Sequence, residues 1–343
     1  MAEIENILSL ARNKKATDVH IVSGSPVLLR IEGELHRASQ GVLNAQTTKD
    51  LSYSLLRPEQ IRDFEENLDL DFMTSDSDHN RYRVNVSFND GDVGAVIRLL
   101  PSEPMSLEEL QLPEMVARMA GVRKGLVLIT GSTSQGKTTT MAGMIDAINR
   151  HSRKHVVTIE DPIEYVHANK NSIIRQREIG RDTKSFGRGL RAALRQDPDV
   201  IAIGEMRDYD TIKTALTAAE TGVLVFSTLH IISIDKIIER LLSYAPDGND
   251  GHMRALMSEA LLGVIHQELL PTVNGGKRIA SEILVVTDAV RNVMRNRGTF
   301  HLRNLIVTGQ RFGMQTMKSS LEQLKQEGAI AESVYGAVVQ NYR

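Results

Sequence analysis

A chain of 343 residues is longer than one typical core requires and suits about two domains. Its 41 Lys and Arg nearly balance 43 Asp and Glu, which excludes a global field that would draw it onto nucleic acid or an anionic membrane. With no cysteine, disulfides and cysteine-ligated zinc are excluded, and a reducing compartment is permitted.

The start, Met1 to Leu10, carries acids and no long apolar run, so it does not read as a secretory signal. No stretch approaches the roughly 20 apolar residues that span a bilayer, and the expectation is a soluble cytoplasmic protein. Residues 1–100 read as a small α+β domain, with strands at Val19 to Val22, Val27 to Ile31 and Arg81 to Phe88. A hairpin is predicted over Arg81 to Leu100, turning at Asn89-Asp90-Gly91-Asp92. Its register sets Phe88 opposite Val93, Val86 opposite Ala95, Val84 opposite Ile97 and Tyr82 opposite Leu99. The same count sets Arg83 opposite Arg98, two like charges that repel unless an anion or nearby acids absorb the cost.

Leu100-Pro101-Ser102-Glu103-Pro104 interrupts regular structure, and a linker is expected over 101–112. A second domain is expected over 113–343, and from Gly125 onward the pattern changes to compact apolar strands at Leu126 to Thr130, Val156 to Ile159, Val200 to Ile203 and Val223 to Ser227, separated by helical stretches. That predicts a parallel sheet covered on both faces. After about Ile234, helical periodicity is expected to dominate to Arg343. Within it, Ala289 to Arg295 places Val290, Val293 and Met294 at helical spacing, with Arg291 and Arg295 on another face.

Gly131-Ser132-Thr133-Ser134-Gln135-Gly136-Lys137-Thr138 fits an eight-position phosphate loop between an apolar strand and a helix. Backbone amides and the helix N-terminus can surround phosphates, with Thr139 in the first helical turn; Lys137 can reach the β and γ oxygens, and Thr138 can ligate Mg2+. Glu205 ends the strand Val200 to Ile203, where it can hold Mg2+ through water or polarise the attacking water. Glu160, Asp161 and Glu164 leave the sheet at the same edge, and Glu164 is a second candidate for orienting that water. His230 follows its strand in the same way and can sense the γ-phosphate. The plainer readings are polar strand exits for the acids and hydrogen-bonded structure for His230.

The order of these pieces resembles the ATPases of type II secretion and type IV pili, and most closely the PilT-like pilus retraction motors. Thr158 to Glu164 is similar to that family's acidic box, Gly204 to Asp208 to its Walker B end, and Ser227-Thr228-Leu229-His230 to its histidine box. Ala289 to Arg295, Gly309-Gln310 and Gly313-Met314-Gln315-Thr316 resemble elements of the retraction subgroup. The resemblance implies a homo-hexamer of a PAS-like N-terminal domain and a RecA-like ATPase domain that uses Mg2+ with ATP. It also implies arginines of the first domain, here Arg83 and Arg98, contacting ATP, and a coupling or partner role for Arg291 and Arg295. The implied setting is the cytoplasmic face of the bacterial inner membrane, beneath a platform protein, peripheral to the bilayer. Extension and type II secretion members usually carry a longer N-terminal region and a Cys-x-x-Cys zinc element, so retraction is favoured.

The chain departs from that family at Ser132, Ser134 and Gln135, where Pro, Gly and Ser are usual, and at Ile231-Ile232, where Thr-Asn is usual. If Ser134 takes a positive φ, the strain is about 1 kcal/mol. The alternatives are a type IV secretion or conjugation ATPase, a RecA-like nucleic-acid motor, and a nucleotide switch or small-molecule kinase. A chain with no Trp and only seven Tyr and seven Phe offers few stacking aromatics, so direct nucleic-acid binding is not expected.

Overall fold

The alternating apolar positions Tyr82, Val84 and Val86 are fully buried on one face of a long strand, as the period of two requires. That strand belongs to a computed structural model describing residues 2–31, 33–78, 80–100, 103–296 and 302–342. The chain divides into two units, Met1–Ser102 and Glu103–Arg343.

The first unit contains α1 (Ala2–Asn13), β1 (Asp18–Ile21), β2 (Leu28–Ile31), β3 (Glu34–Arg37), α2 (Ala45–Tyr53), α3 (Pro58–Asn67), β4 (Asp69–Ser75), β5 (Arg81–Asn89) and β6 (Asp92–Leu99). Its six strands form one antiparallel sheet in the order β3-β2-β1-β6-β5-β4. The β5–β6 register is the expected one, including Arg83 opposite Arg98. Between the paired Asn89 and Asp92, Asp90 and Gly91 have φ of 54° and 87°, the left-handed pair that a two-residue type I′ turn demands. β3 was not anticipated, because all four of its side chains are exposed and leave no alternating pattern.

The second unit contains α4 (Glu114–Ala120), β7 (Gly125–Thr130), α5 (Lys137–His151), β8 (His155–Glu160), β9 (Ile173–Glu178), α6 (Phe186–Ala193), β10 (Val200–Glu205), α7 (Tyr209–Thr221), β11 (Leu224–Leu229), α8 (Ile237–Leu242) and α9 (Asp250–Ala260). There follow β12 (Leu261–Pro271), β13 (Lys277–Val285), α10 (Asp288–Arg295), α11 (Leu302–Thr308), α12 (Met317–Gln326) and α13 (Glu332–Val339). The sheet order is β13-β12-β7-β11-β10-β8-β9, parallel throughout except for the β12–β13 pair. Alternate residues serve opposite faces. Leu126, Leu128, Ile201 and Val225 join the core beneath α7 and α9, while Val127, Ile129, Ala202 and Phe226 join the one beneath α4 and α5.

Two expectations are corrected. The region after Ile234 is not helical throughout, since β12 and β13 pair over nine positions and extend the sheet. Their sequences, Leu261-Leu262-Gly263-Val264-Ile265-His266-Gln267-Glu268-Leu269-Leu270 above all, mix helix formers with apolar residues, and pairing against β7 overrides that local preference. The expected linker 101–112 is not a free connection. Pro101 and Ser102 lie outside the described residues, and from Glu103 the chain belongs to the second unit. Leu107 and Leu110, three apart, are buried there, and a side chain on Gly143 of α5 would stand 3.1 Å from Leu110. Among the described residues no helix is long and apolar enough to cross a membrane.

Candidate functional site

The loop from Gly131 to Gly136 leaves the C-terminal end of β7 and opens α5, the edge where ligands collect in parallel sheets. Its backbone needs left-handed positions. Gly131 has φ 148°, Ser134 φ 62° and Gly136 φ 79°. Gly131 is also required sterically, because a Cβ there would stand 2.6 Å from the Gln267 carbonyl oxygen of β12. β12 grips the loop in return: Gln267 Nε2 donates to the Gln135 carbonyl at 2.6 Å, and the Leu269 amide donates to Gln135 Oε1 at 2.5 Å. Ser132, Thr133 and Ser134 are exposed, so this stretch faces outward while its two ends are anchored.

Lys137 is buried, and its Nζ donates to the carbonyls of Gly131 at 3.0 Å and Ser132 at 2.6 Å. The third direction points to His230 Nδ1 at 3.4 Å. All three ammonium protons therefore meet neutral acceptors. Burial lowers the Lys137 pKa, opposed by the charges of Glu205 and Glu164, so both acids act on this ammonium. His230 Nε2 stands 3.9 Å from Glu205 Oε2. Burial and the Lys137 cation lower the His230 pKa against the pull of Glu205, which favours the neutral ring. An Nδ1 that accepts from Lys137 leaves the proton on Nε2, toward Glu205.

Glu205 is also ion-paired with Arg207, which sequence reasoning did not single out although it lies within Gly204 to Asp208. The β10–β11 register shifts between Ile203 and Glu205, an irregularity at the strand end that carries Glu205. Glu160 is buried and accepts from Thr158 Oγ1 at 2.5 Å and Gln176 Nε2 at 3.1 Å, so it is held in structure. Glu164 precedes Tyr165, whose hydroxyl lies 2.9 Å from Thr139 Oγ1, which ties the acidic segment to the first turn of α5. Thr138 is half-buried in that same turn. Hydroxyl and carboxylate oxygens are the hard donors Mg2+ prefers, and two protein donors suit an ion whose remaining ligands are phosphate oxygens and water. Thr138 and Glu205 thus fit Mg2+. Tyr165, Gln176 and Gln267 were missed, since each acts through a partner distant in sequence.

The other expected residues have local partners. Arg83 pairs with Asp71 at 3.2 Å, and Arg98 with Asp18 at 2.9 Å, so acids on neighbouring strands absorb the repulsion across β5–β6. Val290 and Met294 are fully buried. On the other face of α10, Arg291 donates to the Ser258 carbonyl and to that of Glu259 at 3.2 Å, and Arg295 donates to Ser258 Oγ at 2.8 Å and pairs with Glu259. These cations cap the C-terminal end of α9, where helix carbonyls lack partners.

Residues 2–335 match the family described as Type II/IV secretion system protein. The chain is 41% identical over 329 residues to the type IV pilus retraction ATPase PilT of Pseudomonas aeruginosa, covering 96% of each chain. It is 43% identical over 316 residues to a twitching motility protein of Neisseria gonorrhoeae, covering 92% of this chain and 84% of that one. A crystal structure of the pilus retraction motor PilT with bound ADP superposes with a TM-score of 0.88 at 40% identity, over 96% of this chain and 94% of that one. With a phosphate loop, a buried lysine and two acids gathered at one sheet edge, and with likeness along nearly its whole length, the chain belongs to the Type II/IV secretion system protein family and is one of its ATPases.

Proposed function

We propose that this chain hydrolyses Mg·ATP on residues 131–138 and uses the energy to drive retraction of a type IV pilus. The observation that carries the reading is the Lys137 ammonium, buried in the phosphate loop with only neutral acceptors and with His230 and Glu205 beside it. An ATP phosphate is a far stronger acceptor than a carbonyl or imidazole, so the ammonium exchanges one of these contacts for the β or γ oxygens. Loop amides and the α5 N-terminus receive the remaining charge. Thr138 and Glu205 would hold Mg2+, which would supply charge neutralisation to the phosphates. Glu205 or Glu164 orients the attacking water and accepts its proton, and neutral His230 contacts the γ-phosphate through its N–H.

The pilus reading is supported by the relatives' described roles and by their match along nearly the whole chain. It carries with it a homo-hexameric ring and an inner-membrane platform protein as partner, with the motor at the cytoplasmic face of that membrane. Arg291 and Arg295 then serve the ring's mechanics through α9. The test replaces Lys137 by Ala in cells whose own copy is removed. ATP turnover falls at least about a thousandfold and pili no longer retract. Undiminished hydrolysis would refute the phosphate-loop reading; lost hydrolysis with normal retraction would refute the pilus reading alone.

A further inference from the structure

β12 lays His266, Gln267 and Glu268 alongside the phosphate loop, and the chemistry above accounts for Gln267 alone. His266 is buried, with Nδ1 3.2 Å from the hydroxyl of Thr130, the residue that precedes Gly131. Its Nε2 is 3.1 Å from the hydroxyl of Tyr342, 76 positions away in the last helical turn, Gln340–Tyr342. That hydroxyl donates to Glu268 Oε1 at 2.5 Å. The single phenolic proton is thereby committed to the carboxylate, so His266 Nε2–H donates to the Tyr342 oxygen and Nδ1 accepts from Thr130. The ring must be neutral to play both parts. Burial holds the His266 pKa down at about 4, which meets that condition at physiological pH.

Every proton in this chain points one way, from Thr130 through His266 and Tyr342 to Glu268. The outer end is fixed as well, because the Tyr342 carbonyl accepts from Arg303 and the ring packs against the apolar cluster of α12 and α13. Between this turn and the loop lies a cavity of about 450 Å3, lined by Ser132 on one side and by Asn341 and Tyr342 on another. Ser132 is exposed on that flank. Hydrogen bonds hold the loop in place, Thr130 to His266 and Gln135 to β12 at its two ends and Lys137 Nζ to the Gly131 and Ser132 carbonyls between them.

We propose that Tyr342 is a positioning residue of the ATP site, holding the start of the phosphate loop in register through His266 and Thr130. The proposal rests on the reading that residues 131–138 bind ATP. A loop released at Thr130 presents its amides less well to the phosphates, so the loss falls on ATP binding and not on the bond-breaking step.

The experiment compares steady-state ATP kinetics of the full chain with those of Tyr342→Phe, Thr130→Val and the double variant. Both substitutions keep volume and remove one hydroxyl. Tyr342→Phe raises KM for ATP about fivefold with kcat within about twofold. Thr130→Val reads the same relay from its inner end and does likewise, and the double variant is no worse than the poorer single one. An unchanged KM in either single variant, a lowered kcat with KM unchanged, or losses that multiply in the double variant each overturns the proposal. If Lys137→Ala kills turnover while Tyr342→Phe is wild type, this inference fails and the ATP-site reading stands; turnover surviving Lys137→Ala fails the reading itself.

Discussion

Lys137 in the second unit and the Arg83–Arg98 pair in the first are all cations that sequence reasoning sends toward a phosphate, yet they stand in different company. Lys137 is buried and its three donors meet two carbonyls and an imidazole, with Glu205 and Glu164 acting only at longer range. Arg83 and Arg98 each touch an aspartate. A buried cation that is hydrogen-bonded but not neutralised retains attraction for an anionic ligand. A cation already paired with a carboxylate must break that pair first. The difference separates a group held ready for phosphate from groups whose folded-state neighbours already account for them.

The comparison breaks first at the acids around Lys137. Glu205→Gln is expected to slow turnover about a hundredfold while leaving nucleotide affinity nearly unchanged, because the amide keeps the shape and loses the capacity to take a proton. Glu164→Gln is measured beside it by single-turnover hydrolysis. If Glu164→Gln is the slower variant, the role of base moves to Glu164. If neither slows hydrolysis, the acids near Lys137 have no part in the chemistry.

A smaller effect sharpens the other side. Arg83 and Asp71 are 42% and 53% exposed, a surface pair of little worth, whereas Arg98 covers an Asp18 that is only 8% exposed. Arg98→Ala leaves that carboxylate buried with Thr17 as its remaining side-chain partner and should cost about 1 to 2 kcal/mol. Thermal unfolding of Arg98→Ala and Arg83→Ala, with ATPase rates on both, is the measurement. A lower melting temperature for Arg98→Ala alone, with full turnover in both, assigns the pair to the fold. Turnover that collapses in both while melting holds assigns them to the nucleotide.

What the sequence disclosed follows from range. The β5–β6 register was legible because Tyr82, Val84, Val86 and the Asp90-Gly91 turn are local, and a period of two admits no half-slip. The strand, loop and helix around residues 131–136 were legible because the glycines, the lysine and the flanking strand lie within a few residues of each other. β12 was not. Its central residues, Val264 to Gln267, are almost wholly buried between β7 and β13, so it shows no alternation, and its His, Gln, Glu and Leu content points locally to a helix. With β12 unseen, the grip of Gln267 on Gln135 and the relay from Thr130 to Tyr342 had no signal at all, since Gln267 lies 132 positions from Gln135, and His266 lies 136 from Thr130 and 76 from Tyr342. Arg291 and Arg295 show the same limit: their spacing was plain, but the carbonyls of α9 that they cap were not.

The smallest effect expected lies in the phosphate loop itself, at Ser134. Its φ of 62° is a left-handed conformation that costs a residue with a Cβ about 1 kcal/mol and costs glycine nothing. Ser134→Gly therefore relieves the folded loop, but it also frees the unfolded chain, a penalty of about 0.4 to 1 kcal/mol that acts in the opposite direction. The two nearly cancel, so the melting temperature should move by no more than about 2 °C. Ser134 is exposed, so its side chain contributes little packing that could hide this balance. Ser134→Ala is the control, since it keeps the Cβ and hence the strain, and any difference between the two variants isolates the backbone term. A Ser134→Gly variant destabilised by several degrees relative to Ser134→Ala would mean that the serine's conformation is supported by the loop and not merely tolerated. Because both ends of the loop are anchored to β12, that outcome would place the support in the Gln135 clamp, and Gln135→Ala would then abolish the difference.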